Sequence, residues 1–357
     1  MIKRRETRTV VVGDVKIGSG HPVSVQSMTK TDTGDIEATA GQIRELEDAG
    51  CEIVRIAVKD QDAARAVASI KKEISIPLVA DIHFDYRLAL EAVKSGADKI
   101  RINPGNISNT DELNKIIDAV SSAGIPVRIG VNSGSLRENI VSSGDVDEVM
   151  TDSALKCIEH FRKRGFHDLV VSLKGADVPA TVRAYRKLAM ECDYPLHLGI
   201  TAAGSPEKGI VKSSIGIGAL LLDGIGDTIR VSLTGDPVTE VNTARNILAA
   251  VGARNFGPQV IACPTCGRCQ VDLISIVEEL EDELRRDTRY AIRNTDKQLI
   301  IAIMGCEVNG PGEAKNADIG IAFGKDRGAI FSRGKVVKTV EEGEAIKELL
   351  EMIKKEI

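Results

Sequence analysis

Four cysteines near the end of the chain are spaced so that they could hold a metal centre. Three lie in the run CPTCGRC (263–269), as Cys263, Cys266 and Cys269, and the fourth is Cys306. A C-x-x-C pair points both sulfurs toward one centre, and a distant third thiolate ties a second segment to it. Zinc and an iron-sulfur cluster both fit this pattern. A zinc ribbon more usually has a second C-x-x-C pair, which Cys306 lacks.

The segment after Cys306 adds a candidate oxygen ligand. The run GCEVNGPGEA (305–314) contains a Gly-Pro-Gly turn, which lets the backbone approach a bulky cofactor closely. Glu313 follows this turn. Substrate can displace an oxygen ligand from iron, whereas four thiolates make a closed electron-transfer centre.

A second set of polar residues lies within strand-like runs, or at their polar ends, in the first two thirds of the chain. The members are four arginines, Arg55, Arg101, Arg128 and Arg230, and the polar residues Asp81, His83, Asn103 and Asn132. A charged side chain inside a buried strand is costly unless it is paired or directed into a site. We expect these residues to meet at one cavity that suits a phosphate or diphosphate, with Lys212 as an additional cation. His197 is expected to pack in the core.

The composition excludes several classes of function. The 357 residues include 47 basic and 52 acidic ones, so the net charge of −5 gives no general attraction to nucleic acid or to anionic membranes. Trp is absent and only 3% of residues are aromatic, which argues against base-stacking platforms. No apolar run reaches the length of a membrane span, residues 1–9 lack the apolar core of a signal peptide, and the seven unevenly spaced cysteines fit a reducing compartment. We expect a cytoplasmic protein.

Eight strand-like runs, each followed by a helix-length segment, must position these side chains. They begin with SVQSM (24–28) and end with TIRVSL (228–233). This pattern predicts a TIM-type (β/α)8 barrel, an α/β fold whose active site lies at the carboxyl ends of the strands. An open doubly wound sheet is the alternative, but no G-x-G-x-x-G follows the first strand. A short hairpin is expected to precede the barrel, over residues 8–17.

The pattern changes after residue 257. Gly257-Pro258 is a plausible linker, so we expect a barrel over residues 1–257 and a small α+β domain over 258–357. The cysteine cluster lies in the second domain, and the arginine set lies in the first. The sequence therefore predicts two domains with different tasks.

Several motifs resemble those of the 4-hydroxy-3-methylbut-2-enyl diphosphate synthase family. The resemblance covers nearly the whole chain, with matches that include PVSVQSMT (22–29), RINPGN (101–106), GIGDTIRVSL (224–233) and GCEVNGPGEA (305–314). It implies a TIM-type barrel followed by an iron-sulfur domain. The implied reaction is the two-electron reductive ring opening of 2-C-methyl-D-erythritol 2,4-cyclodiphosphate, in which one oxygen leaves as water.

The resemblance also implies roles for individual residues. It makes Cys263, Cys266, Cys306 and Glu313 the ligands of a 4Fe-4S cluster, and Cys269 a bystander. The residues that would bind the diphosphate are Arg55, Arg101, Arg128 and Lys212, with Arg230 beside them. Asp81 and His83 are the candidate catalytic groups. Asn103 and Asn132 complete the pocket. Flavodoxin or ferredoxin would donate the electrons. The family also implies a homodimer.

One position departs from the family pattern. The family usually has Thr-Glu-Ala-Gly after the seventh strand, whereas this chain has Thr201, Ala202, Ala203 and Gly204. A carboxylate at a strand end is a natural proton donor or orienting group for the loss of an oxygen. We hypothesise that its absence lowers activity, or that another acid such as Glu207 replaces it.

Two other functions remain open from the residues alone. A pterin or one-carbon enzyme with a structural zinc domain would also place arginines at strand ends, but it would need neither Glu313 nor the Gly-Pro-Gly turn. A non-catalytic iron-sulfur redox module on an inert barrel would not need the costly strand-end charges.

Overall fold

The computed structural model describes residues 2–107, 109–136, 145–286, 298–308 and 317–356. The chain forms two compact units, Met1–Arg254 and Asn255–Ile357. The predicted linker at Gly257-Pro258 lies just after this division. No helix among the described residues is both long and apolar enough to cross a membrane.

The first unit is a parallel barrel that follows a short antiparallel hairpin. The hairpin strands are β1 (Val10–Val12) and β2 (Val15–Ile17). The barrel strands are β3 (Ser24–Met28), β4 (Ile53–Val58), β5 (Leu78–Ile82), β6 (Lys99–Ile102), β7 (Val127–Asn132), β8 (Leu169–Lys174), β9 (His197–Leu198) and β10 (Thr228–Ile229). All eight fall within the predicted runs, so the predicted (β/α)8 fold is confirmed.

Helices follow the barrel strands one by one. They are α1 (Ile36–Asp48), α2 (Gln61–Ile70), α3 (Tyr86–Lys94), α4 (Thr110–Ala123), α5 (Val146–Lys163), α6 (Val178–Glu191), α7 (Pro206–Leu222) and α8 (Pro237–Ala250). Several begin at an aspartate that caps the first turn; the side chains of Asp35 and Asp60, for example, accept hydrogen bonds from the backbone N–H groups of Ala38 and Ala63. These caps fix where each strand-to-helix loop ends.

The barrel closes in strand order. Neighbouring strands pair in parallel from β3 to β8, and β3 also pairs with β10, which in turn pairs with β9. A parallel bridge between Val171 and Leu196 connects β8 to the residue before β9. The amino-terminal hairpin fills the opposite end from the predicted site, where Val12 and Ile17 pack against Ile53 and Val79.

Alternation along the barrel strands separates charged from apolar residues. In β6, Lys99 and Arg101 share one face, while Ile100 and Ile102 share the other. Register places Asp81 beside Arg101, and Arg101 beside Arg128, on three successive strands. The polar faces of the strands therefore line the inside of the barrel, and helices cover the apolar faces.

The second unit is a five-stranded sheet with two helices. Its elements are β11 (Gln259–Ala262), α9 (Leu273–Arg286), β12 (Ile300–Met304), β13 (Ile319–Phe323), β14 (Arg327–Ser332), β15 (Lys335–Glu341) and α10 (Ala345–Glu356). The first three strands are parallel, and β14 and β15 extend the sheet antiparallel. One core joins sheet and helices, in which Leu280 and Ile353 pack with Ile301 and Ile321. This part of the chain thus has the α+β character that the sequence predicted.

Candidate active site

A cavity of about 180 Å³ opens at the carboxyl ends of the barrel strands. Its lining is almost entirely polar. The lining residues are Met28, Arg55, Asp81, His83, Arg101, Arg128, Asn132, Ser172, Lys174, Thr201, Arg230 and Ser232. The structure thus brings together seven of the residues that the sequence pointed to, from five different strands or strand ends.

Asp81 is the centre of the hydrogen-bonded network at the cavity floor. Its carboxylate accepts a hydrogen bond from Nη1 of Arg101 at 2.9 Å, and it lies 3.6 Å from Nε of Arg55 and 3.4 Å from Nε2 of His83. Burial alone would raise the pKa of Asp81, but Arg55, His83, Arg101 and Arg128 hold it well below its usual range. Asp81 is therefore ionised at neutral pH and orients its three partners.

The cavity has a large excess of positive charge. Arg128 is 1% exposed, and its Nη1 donates to Oε1 of Gln26 at 2.8 Å. Arg230 lies 3.4 Å from Glu240, a buried acid on α8. Burial, together with the positive charges of Arg230 and Arg101, lowers the pKa of Arg55 to about 9. The negative charge of Asp81 acts in the opposite direction and raises it. Because guanidinium groups remain protonated at neutral pH, four fixed cations surround one lining carboxylate.

Three buried barrel residues, one of which lines the cavity, were given no site role by the sequence reasoning. Lys174 lines the cavity at the end of β8, and its Nζ lies 3.2 Å from Nε2 of His197, which was expected only to pack in the core. Lys99 is fully buried, and its Nζ has no hydrogen-bond partner among the described residues. A lysine inside a strand carries the same signal as the arginines, since it too is costly to bury.

Two predicted binding residues do not line the cavity. Asn103 is buried, and its Nδ2 donates to Oγ of Ser135, in the loop after β7, at 2.8 Å. Its Oδ1 accepts from the backbone N–H of Gly105, in its own loop, at 3.0 Å. Lys212 lies within α7, outside the cavity lining. The lysine that lines the cavity is Lys174.

Ala202 lies in the turn after β9, next to the lining residue Thr201. Its φ of +50° lies in the left-handed region, which an alanine rarely adopts because its Cβ is strained there. Glu207 is exposed in the first turn of α7 and does not line the cavity. The described residues at this edge of the cavity thus include no carboxylate in place of the missing acid.

The four cysteines of the second unit lie at or near the ends of two adjacent parallel strands. Cys263 follows β11 and Cys306 follows β12 closely, and the backbone N–H of Gly305 donates to Sγ of Cys263 at 3.3 Å. Such N–H to sulfur hydrogen bonds are the ones that tune thiolate ligands. Sγ of Cys269 instead donates to the carbonyl of Val271 at 3.3 Å.

Glu313, the predicted oxygen ligand, lies outside the described residues. Within the described ranges, no group of three or more His, Cys, Asp or Glu side chains is close enough to hold a metal ion. Cys263, Cys266 and Cys306 nevertheless supply soft sulfur donors from two neighbouring segments, which is the donor chemistry of an iron-sulfur cluster.

Comparison with known protein families gives matches in both units. A family model described as the GcpE TIM-barrel domain matches residues 7–245, and one described as the GcpE protein C-terminal domain matches residues 259–355. Together they account for most of the chain, including the cavity and all four clustered cysteines.

Curated proteins are similar over almost the full length. The chain is 53% identical to a 4-hydroxy-3-methylbut-2-en-1-yl diphosphate synthase (flavodoxin) of Caldanaerobacter subterraneus, across 99% of each chain. The protein of the same description from Thermodesulfovibrio yellowstonii is also 53% identical, across 99% of this chain and all of that one.

Several solved structures are similar to about two thirds of this chain. Dihydropteroate synthase of Yersinia pestis superposes with a TM-score of 0.51 at 13% identity, covering 69% of this chain and 97% of that one. At this identity the likeness extends to the fold and not to the activity, so it gives no support to a pterin enzyme. The family models and the full-length similarity agree with each other: the chain belongs to the GcpE family.

Proposed function

We propose that the protein catalyses the reductive ring opening of 2-C-methyl-D-erythritol 2,4-cyclodiphosphate to 4-hydroxy-3-methylbut-2-enyl diphosphate. The observation that carries this proposal is the cavity with four arginines and a lysine around a single lining carboxylate, in a chain whose net charge is −5. Such a cavity suits a compact ligand with several negative charges. The full-length relatives bear the name of this synthase.

The arginines would bind and orient the diphosphate. Arg55, Arg101 and Arg128 are nearly fully buried and held by Asp81, Gly130 and Gln26, so little conformational freedom is lost when an anion binds. Fixed guanidinium groups in a site of low dielectric constant stabilise negative charge strongly. Binding of this kind keeps the ring still while it is opened.

Asp81 and His83 would have different tasks. Because Asp81 is held ionised, it cannot donate a proton, and it positions Arg101 and the His83 ring. The side chain of His83 is 46% exposed and lines the cavity, so it is accessible to solvent and to substrate. His83 is thus the stronger candidate for donating the proton that the departing oxygen needs.

Cys263, Cys266 and Cys306, with Glu313, would hold a 4Fe-4S cluster. When bound, such a cluster supplies the single electrons at low potential that the reaction needs. Flavodoxin or ferredoxin would deliver these electrons, and a cytoplasmic location would keep the thiols reduced. We also propose that the protein acts as a homodimer, a prediction that sedimentation of the cluster-loaded chain tests.

Anaerobic reconstitution and turnover test the proposed function. Iron, zinc and acid-labile sulfide are measured on the reconstituted chain, and the product is then assayed after addition of the cyclodiphosphate and reduced flavodoxin. About four irons and four sulfides per chain, with formation of the linear diphosphate, are expected. One zinc without sulfide, or a loaded cluster without conversion under any low-potential donor, would contradict the proposal.

A further inference from the structure

A lysine and a histidine inside the barrel are in direct contact beneath the cavity. Nζ of Lys174 lies 3.2 Å from Nε2 of His197, and Nδ1 of His197 lies 3.4 Å from Oγ1 of Thr228. Lys174 is 6% exposed and His197 is fully buried. The backbone carbonyl of His197 also accepts a hydrogen bond from the hydroxyl of Tyr185 at 2.5 Å, which helps to fix its place.

This contact can exist in two protonation states without moving a heavy atom. In the neutral state, Nε2–H of the imidazole donates to the lone pair of the Lys174 amine, and the Thr228 hydroxyl donates to Nδ1. In the charged state, the Lys174 ammonium donates to Nε2, and Nδ1–H donates to the Thr228 oxygen. The two states differ by one proton and by the tautomer of His197.

The charges that face the pair favour the neutral state in the empty cavity. They come from most of the strands around it: the cations are Arg55 on β4, Arg101 on β6, Arg128 on β7 and Arg230 after β10, and the anions are Asp81 on β5 and Glu240 on α8. Lys99 on β6 is a further buried amine, and burial lowers its pKa well below the usual range, as it does for Lys174. Four cations thus face two anions. Burial, and after it the arginines led by Arg128, lowers the pKa of Lys174 well below its usual range. Burial and the neighbouring Lys174 do the same to the pKa of His197.

A bound diphosphate would reverse this balance, because it brings negative charge to the wall that Lys174 shares with the four arginines. We propose that the pair formed by Lys174 and His197 is neutral in the ligand-free protein and takes up one proton when the cyclic diphosphate binds. Nε2 passes its proton to Nζ, and Nδ1 gains a proton from solvent, so the imidazole stays neutral and changes tautomer. His197 is then a positioning residue that lets a buried lysine become charged only when substrate is present. This inference rests on the proposed function.

Calorimetry measures the proton uptake directly. The cyclodiphosphate has no second ionisation on either phosphorus, so it carries the same charge across neutral pH and any proton taken up comes to the protein. Binding enthalpies measured near pH 8 in buffers of different ionisation enthalpy should give an uptake of about one proton per chain. The uptake should vanish in Lys174→Gln, because this variant has no titratable amine at position 174. It should persist in His160→Gln, because His160 lies outside the cavity and contacts Asn114.

Nitrogen NMR reads the tautomer in the unmodified full chain. The sequence has five histidines, so selective labelling of the ring nitrogens gives few signals. The signals that are missing from the spectrum of His197→Gln are those of His197. The proton of His197 should lie on Nε2 in the free protein and on Nδ1 after the cyclodiphosphate is added. A purely structural histidine would keep one tautomer throughout.

The outcomes separate this inference from the function on which it rests. Uptake near one proton with the tautomer change supports it. Binding without uptake, or with an unchanged tautomer, overturns it and leaves the proposed function intact. If no binding heat is found and no turnover occurs, the proposed function fails and this inference fails with it.

Discussion

Asp81→Asn is the substitution that most directly tests the electrostatic structure of the cavity. The side chain of Asp81 is 3% exposed and lies 2.9 Å from Arg101 and 3.6 Å from Arg55. Asparagine has the same shape but no charge, so the variant keeps the packing and leaves two buried guanidinium groups without their shared counter-charge. We expect the ligand-free barrel to lose stability for this reason alone.

The expected loss follows from the burial of all three groups. Removing one partner of a buried ion pair costs about 3–5 kcal/mol, because the remaining charge is left uncompensated. For a unit of about 250 residues, each kcal/mol lowers the midpoint of thermal unfolding by roughly 2–4 °C. The barrel transition of Asp81→Asn should therefore fall by about 6–20 °C in a calorimetric scan without ligand.

Asp32→Asn is the matched control. Asp32 lies 2.7 Å from Lys59, but both side chains are more than half exposed, so solvent screens the pair and it adds little stability. Its loss should lower the midpoint by a few degrees at most. Equal shifts in the two variants would refute the reasoning, since they would mean that the buried arginines do not depend on Asp81.

The pH dependence of the difference gives a second check. The pKa of Asp81 is lower in the folded chain than in the unfolded one. Its charge therefore stabilises the fold at pH values above the unfolded pKa of about 3.9. That contribution is lost as the pH falls through the folded pKa. The stability gap between the unmodified chain and Asp81→Asn should be full at neutral pH and should shrink in acid, as urea titrations at several pH values would measure.

Three further substitutions test the cavity and the cysteine cluster. Ala202→Glu should raise turnover of the reconstituted enzyme at least several-fold, whereas Ala202→Gly, which relieves the positive φ without adding a carboxylate, should not. Gly130→Ala should weaken calorimetric binding of the cyclodiphosphate about ten-fold, because the added Cβ would lie 2.5 Å from Nε of Arg101 and displace that side chain. Cys306→Ser should lower the bound iron and sulfide after reconstitution, while Cys269→Ser, whose thiol contacts a backbone carbonyl, should leave both unchanged.

The sequence predicted the barrel because its local signals agree with one another. Apolar strand runs, helix-length segments between them and capping residues such as Asp35 and Asp60 all specify the same alternation of strand and helix. The second unit was harder to predict from the sequence. Its exposed edge strand β15 is polar over most of its length and shows no alternation of buried and exposed residues. Only pairing with β14 makes it a strand.

The cavity arginines were also predictable, since an ionised group in a buried strand needs a site or a partner. Sequence alone did not determine how each charge is used. Asn103 and Asn132 look alike at strand ends, yet Asn103 binds Ser135 in the loop after the neighbouring strand β7, and Asn132 lines the cavity. This difference depends on the path of the chain around Ser135.

The sequence by itself determined the fold, the two units and the chemical character of the site, because those follow from residue types and their period along the chain. Only the tertiary structure decided that Lys174 lines the cavity, that His197 touches it and that Asp81 is shared by two arginines. These contacts join residues on different strands. The physical reason is that strand register and barrel closure set distances between side chains that are far apart in sequence, and the protonation of a buried group depends on those distances.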